Sequence, residues 1–214
     1  MTIAFLDTNV LAKPVTRTLL MVGGMPSGFQ AVESRCRTRS GRPHAPTSDP
    51  TEARPGALWL PPRTQSGDRP ERFAGTKGAD RQILADAAAA QASFLITEDV
   101  DDYALDDLTS VDISAVNPDL FLAERLTQDA YATVIDLFVE RQVNPPTTPA
   151  GFHAAIARQH PRVFAAHADL YDTEPAPSPR PKPAVIFRGA RCLRCETIVT
   201  DPATLIEGLC PTCR

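Results

Sequence analysis

Residues 3–10 read Ile3-Ala4-Phe5-Leu6-Asp7-Thr8-Asn9-Val10, an apolar run that rises into one carboxylate and then turns polar. A short apolar run bounded by polar residues predicts a buried strand, here ending at its carboxyl edge with an acid. Past Asn9 the pattern becomes helical, and Arg17 to Val22 continues it. Open α/β sheets place their chemistry at that edge. A second segment repeats the logic, with Phe94-Leu95-Ile96-Thr97 followed by Glu98, Asp99, Asp101 and Asp102. Between the two, Asp80 opens a helical stretch from Ala79 to Ala92, where Ile83, Leu84, Ala87, Ala88 and Gln91 fall on one face. Three separated acids, each just past a strand or at a helix start, could converge on a divalent cation. Each also has a plainer reading. Asp80 is an ordinary helix-start residue, and Asp99 to Asp102 an ordinary solvated turn. Asp7 is harder to explain that way, because an acid after a buried strand is costly without a counter-ion.

The alternation in Val111-Asp112-Ile113-Ser114-Ala115 predicts the last strand, turning at Asn117-Pro118. Asn117 as N-cap with Pro118 at the first helical position starts a helix through Arg125. Asp129 to Arg141 repeats apolar residues at Tyr131, Val134, Ile135, Phe138 and Val139, an amphipathic helix. Thr148-Pro149 opens another, and Pro161 a shorter one through Leu170. His153, His160 and His167 are spaced by seven, but Pro161 interrupts any continuous helix between them and no acid or Cys is placed with them. They are read as surface or packing histidines rather than metal ligands.

Three of these segments together resemble the PIN domains. They are the Asp7-Thr8-Asn9 opening, the Ala79-Asp80-Arg81-Gln82-Ile83-Leu84-Ala85 helix, and the Thr97-Glu98-Asp99-Val100-Asp101-Asp102-Tyr103 end. PIN domains are metal-dependent ribonucleases, common in bacteria as the VapC-like toxins of toxin–antitoxin pairs. The resemblance covers residues 1–25 and 73–117. It implies an α/β fold with a parallel sheet flanked by helices, and Mg²⁺ or Mn²⁺ held by Asp7, Asp80 and Asp99. Asp102 is a fourth candidate acid, with Asn9 and Thr97 in support. The helices after the last strand resemble the C-terminal extension of one group of VapC-like toxins. The expected partners are RNA and a cognate antitoxin, with a homodimer among the expected assemblies.

The middle departs from that pattern. From Pro26 to Arg72 the chain is rich in Arg, Pro, Ser, Gly and Thr, with Pro at 43, 46, 50, 55, 61 and 62. Neither helical nor strand periodicity is evident, and such a composition buries too little apolar area to offset its ordering entropy. Where PIN domains supply helices, a short strand and a second acid, usually Glu, this chain offers only Glu33 and Glu52. Two readings stand open. Residues 26–72 are a disordered insertion, or about residues 30–70 are a frameshifted or diverged replacement of the family's segment. Cys36 is assigned no role.

At the far end, Cys192-Leu193-Arg194-Cys195 and Cys210-Pro211-Thr212-Cys213 form two Cys-x-x-Cys pairs separated by fourteen residues. Two residues between cysteines let both thiolates face one ion, and two such turns supply a closed tetrahedral Zn²⁺ site. A tail of about thirty residues has too small a core to fold unaided, so Zn²⁺ would supply its folding energy. The pattern resembles a zinc ribbon, with Arg188, Arg191 and Arg194 as a basic face. Glu174 to Pro183 alternates proline with other residues and predicts a stiff extended linker. The expected organisation is a PIN-like domain over 1–117, a helical extension over 118–172, a Pro-rich linker over 173–184 and a zinc ribbon over 185–214.

The chain has 214 residues, with 22 Lys and Arg against 26 Asp and Glu, a net charge of −4. That balance does not mark a nucleic-acid binder, but the distribution is uneven. Acids dominate from Glu98 to Glu124, and basic residues from Arg180 onward. No apolar stretch approaches the ~20 residues that span a bilayer, and no signal peptide is evident, so a cytoplasmic location is expected. The leading expectation is a toxin-type endoribonuclease. The alternative is a catalytically inactive PIN remnant that binds RNA or protein through its ribbon.

Overall fold

The computed structural model describes residues 1–34 and 62–173, with 185–186, 190–191, 195, 198–199 and 212–213 of the tail. The chain begins with strand β1 (Thr2–Leu6), a single helical turn α1 (Thr8–Leu11), helix α2 (Pro14–Gly24) and strand β2 (Phe29–Ser34). After the return at residue 62 come β3 (Arg63–Thr64), α3 (Asp80–Ala89), β4 (Phe94–Ile96), α4 (Leu105–Ser110) and β5 (Ser114–Val116). Four helices follow, α5 (Pro118–Arg125), α6 (Gln128–Arg141), α7 (Pro149–Ile156) and α8 (Pro161–Ala166). The tail carries β6 (Val185–Ile186), β7 (Ala190–Arg191) and β8 (Ile198–Val199).

The main sheet has the order β3-β2-β1-β4-β5-β6. Its first five strands run parallel, and β6 adds antiparallel at the edge of β5. The strand order reverses between β1 and β4, since the chain builds first to one side of β1 and then to the other. In an open α/β sheet the crevice outside the carboxyl ends at such a reversal is where ligands bind.

Side-chain alternation divides the core into two layers. Ala4, Leu6, Phe29, Ala31, Phe94, Ile96 and Val116 face one side, where α2, α5, α6, α7 and α8 supply Leu19, Leu20, Phe121, Tyr131, Val134, Ile156 and Val163. Phe5, Val32, Leu95 and Ala115 face the other, against Phe73, Leu84, Ala87, Val100, Tyr103 and Leu108. Helices α2 and α5 lie on this face of the sheet, and α6, α7 and α8 pack against them and one another. Their starts are capped as the residue types require. The Asn117 side chain accepts from Asp119 N, Thr127 from Ala130 N, and Thr148 from Gly151 N. Among the described residues, no helix is long and apolar enough to cross a membrane.

The structure departs from the sequence expectation in several places. The stretch 26–72 was expected to hold no element, yet β2 lies within it and β3 and a 3-10 turn at Pro70–Arg72 sit at its far end. Six residues suffice for β2 because Phe29 and Ala31 fill one face and Val32 the other between two parallel neighbours. Residues 35–61, with Cys36 and Glu52, lie outside the described residues. Helix α3 stops at Ala89, and Gln91, placed by periodicity on the core face, is exposed at a left-handed φ of 54°. The last strand starts at Ser114, because Asp112 turns the chain at φ 59°. The linker over 174–184 and Cys192 and Cys210 also lie outside the described residues. Cys195 and Cys213 sit in turns, the first exposed and the second partly buried.

Candidate active site

Asp7 is the first residue past β1, and its amide still bonds to Ile96 O at 3.0 Å, carrying the β1–β4 ladder one step further. It is 4% exposed. It stands at the N-cap position of α1 but makes no side-chain cap bond. Its carboxylate is engaged elsewhere. Thr97 Oγ1 donates to Oδ2 at 2.7 Å, Tyr103 OH reaches the same oxygen at 3.4 Å, and Thr8 Oγ1 donates to Oδ1 at 3.1 Å.

Thr97 occupies the matching position past β4, with its amide on Val116 O at 3.0 Å and its side chain wholly buried. Its hydroxyl accepts from Asn9 Nδ2 and from Asp99 N, both at 3.2 Å. Asn9 Nδ2 also donates to Asp99 Oδ2 at 3.1 Å. A continuous network thus links Asp7, Thr97, Asn9 and Asp99 across the carboxyl ends of β1 and β4. Asn9 Oδ1 is buried without a hydrogen-bond partner among the described residues.

Asp80 begins α3, directly after its N-cap Ala79. Burial, and then the charges of Asp7, Asp102 and Asp99, hold its carboxyl above the usual carboxylate range, while Lys77 opposes that shift. The Tyr103 phenol is pushed up by burial and by Asp7 and Asp80, so it remains a proton donor toward Asp7. Four carboxylates therefore share one electrostatic neighbourhood. Hard oxygen donors of this kind, with one acid destabilised by its neighbours' charge, suit Mg²⁺ or Mn²⁺ in chemistry. Among the described residues, no three acids, histidines or cysteines yet close on a single point. Each carboxylate other than Asp80 is held by a protein donor instead, Asp7 and Asp99 as above and Asp102 by the Lys77 ammonium.

Other residues had no setting in the sequence or went unread. Glu33 was named there without a helix to carry it. It lies at the end of β2, 7% exposed and opposite Leu6, one residue before Asp7. Asp86, inside the alanine-rich helix, is completely buried. It accepts from Ser34 Oγ, from Gly67 N and Gln82 Nε2, both at 2.7 Å, and from Ser66 Oγ at 3.2 Å. This ties the end of β2 and the returning chain to the helix that carries Asp80. Gly67 lies so close to α3 that a Cβ there would meet Ala85 O at 2.0 Å. Lys13 pairs with Glu98 as Lys77 does with Asp102. The signal for Asp86 was one acid amid alanines, which composition reads as solvent-facing.

Comparison with known proteins gives one partial likeness. Over 91 residues the chain is 34% identical to "Putative ribonuclease VapC50" of Mycobacterium tuberculosis. The match covers 42% of this chain and 53% of that protein, so the chain spans about half the length of the curated relative it matches. No family model matches, and no solved structure gives a significant match. The likeness and the parallel sheet together support a PIN-like domain in this chain.

Proposed function

We propose that the chain is a divalent-cation-dependent endoribonuclease of the VapC-like, toxin–antitoxin type. Asp7, Asp80 and Asp99 would hold Mg²⁺ or Mn²⁺, with Asp102 as a fourth acid. The observation that carries this reading is the hydrogen-bonded chain from Asp7 through Thr97 and Asn9 to Asp99, facing an Asp80 that its acidic neighbours repel. A bound cation would supply an activated water and offset charge on the phosphoryl oxygens. The protein's own groups do the positioning. Thr97 and Tyr103 donate to one oxygen of Asp7, and Asn9 orients Asp99. Glu33, which pairs with Leu6 in the β1–β2 ladder, and Glu52, outside the described residues, are the two candidates for the family's second acid. RNA and an antitoxin are the proposed partners, a homodimer the proposed assembly, and Zn²⁺ on Cys192, Cys195, Cys210 and Cys213 the proposed support of the tail.

One observation favours the alternative, an inactive PIN-like module that binds RNA or protein through its cysteine tail. No three acids among the described residues close on one point. Cleavage of a mixed RNA pool with Mg²⁺ or Mn²⁺ separates the two. The nuclease reading expects cleavage by the wild type that Asp7→Asn and Asp80→Asn each abolish. Binding without cation-dependent cleavage would leave the alternative standing.

A further inference from the structure

The turn before α3 is built more firmly than a connection requires. Phe73 is buried, Thr76 N donates to Asp107 Oδ2 at 2.7 Å, and Ala104 N donates to Thr76 Oγ1 at 3.3 Å. Arg81 spends its guanidinium on the same turn, donating to Thr76 O at 2.8 Å and Ala74 O at 2.9 Å. The backbone of Lys77 is then held on both sides. Its amide donates to Asp102 O at 3.0 Å, and its carbonyl accepts from Asp80 N at 3.0 Å and Arg81 N at 3.2 Å. Only its side chain is free to move, and that side chain is 67% exposed.

The ammonium pairs with Asp102 Oδ1. The charged groups facing it are Asp102, Asp80 and Asp101, all acids, and all favour its charged form. It also opposes the repulsion that Asp7, Asp102 and Asp99 impose on Asp80. Lys77 thus supplies positive charge to the same carboxylates that the nuclease reading assigns to a metal.

We propose that Lys77 is an internal counter-cation that competes with the divalent ion for Asp102 and so sets the cation affinity of the site. The proposal rests on the nuclease reading's assignment of those acids to a metal. A site built this way keeps its acids partly neutralised when the cation is scarce. It fills only once the divalent ion displaces the ammonium, whose exposed stem lets it swing away without disturbing the turn.

The test is Mn²⁺ binding, read by electron paramagnetic resonance of the free ion at low ionic strength. It compares full-length wild type, Lys77→Gln, Lys13→Gln and Asp7→Asn. Lys13→Gln removes the same charge from an ion pair with Glu98, outside the proposed ligand set. Lys77→Gln should bind Mn²⁺ on the order of two- to five-fold tighter than wild type, the scale of one exposed ion pair. Lys13→Gln should show a smaller change. Equal effects of the two substitutions, or unchanged or weaker binding by Lys77→Gln, would overturn the proposal. Wild-type binding that Asp7→Asn removes, with no effect of Lys77→Gln, would sink the counter-cation and leave the nuclease reading intact. No binding by wild type but binding by Lys77→Gln would support it, and no binding by either would overturn both.

Discussion

Thr97 has the most specific task of any single side chain in the site. Its hydroxyl donates to Asp7 Oδ2 at 2.7 Å while accepting from Asn9 and from Asp99 N. A buried carboxylate that loses a donor keeps its desolvation cost, and the donors that pointed at the hydroxyl lose their acceptor. Thr97→Val, which keeps the shape and removes the oxygen, should therefore destabilise the protein by about 1–3 kcal/mol in urea unfolding. It should also lower RNA cleavage by more than Thr97→Ser, which retains the hydroxyl. Equal stability of the Val and Ser variants would show that the network is not held through this oxygen. Thr97 was legible in the sequence through its place between an apolar run and a group of acids. Tyr103 as a donor to Asp7 was not, because that contact depends on the path of the 3-10 turn at Val100–Asp102.

At the scale of elements, what was legible followed from local rules. β1 and β4 showed as apolar runs, α5 and α7 by their caps, and α6 by its apolar repeat. β2 was not legible because Phe29-Gln30-Ala31-Val32-Glu33-Ser34 is flanked by proline and arginine, and its burial comes from strands far away in sequence. The three histidines were read as surface or packing residues, and the structure buries all three. His153 bonds to Tyr131 OH at 2.7 Å, His160 Nε2 to Thr16 Oγ1 at 2.8 Å, and His167 stacks on Tyr131 at 4.2 Å. Burial lowers all three, His160 and His167 to about 4 from 6.5. The unfolded chain then binds protons that the folded chain refuses. The stability these residues contribute is full above about pH 6.5 and is lost as pH falls through 6.5 toward 4. Urea midpoints should fall across that window, and His167→Phe, which removes two buried ring nitrogens without partners among the described residues, should flatten the fall. Helix α8 carries a second test. Asp119, on α5, accepts from Arg162 N and Val163 N at 3.1 Å and so caps α8 from another element. Asp119→Ala should cost about 1–2 kcal/mol of stability, as the loss of a helix cap does.

At the scale of the whole molecule, the two strands that flank residues 35–61 pair directly with each other. The chain leaves the sheet at Ser34 and is back in register at Arg63, with Glu33 paired to Arg63 and Ser34 to Thr64. Glu33 N donates to Pro62 O at 3.1 Å, and Asp86 gathers Ser34, Ser66 and Gly67 onto α3. Parallel neighbours need a crossover of about a dozen residues or more, which sets a minimum length for the connection. Replacing 35–61 with a Gly/Ser linker of about fifteen residues should therefore leave the fold intact. Shortening a connection from 27 residues to that length changes its closure entropy by only about 0.5 kcal/mol. The variant should keep the wild-type urea midpoint closely, and a linker of about five residues should lose the β2–β3 pairing and the amide protection of Gly67. The outcome also decides between the two readings of the middle. A variant that folds and cleaves RNA as the parent does would mark 35–61 as an insertion dispensable to both, and would leave Glu33 as the candidate second acid. A variant that unfolds would show that the core described here draws on residues 35–61. Greater activity without them would point to a segment that has replaced the family's own and impairs the site.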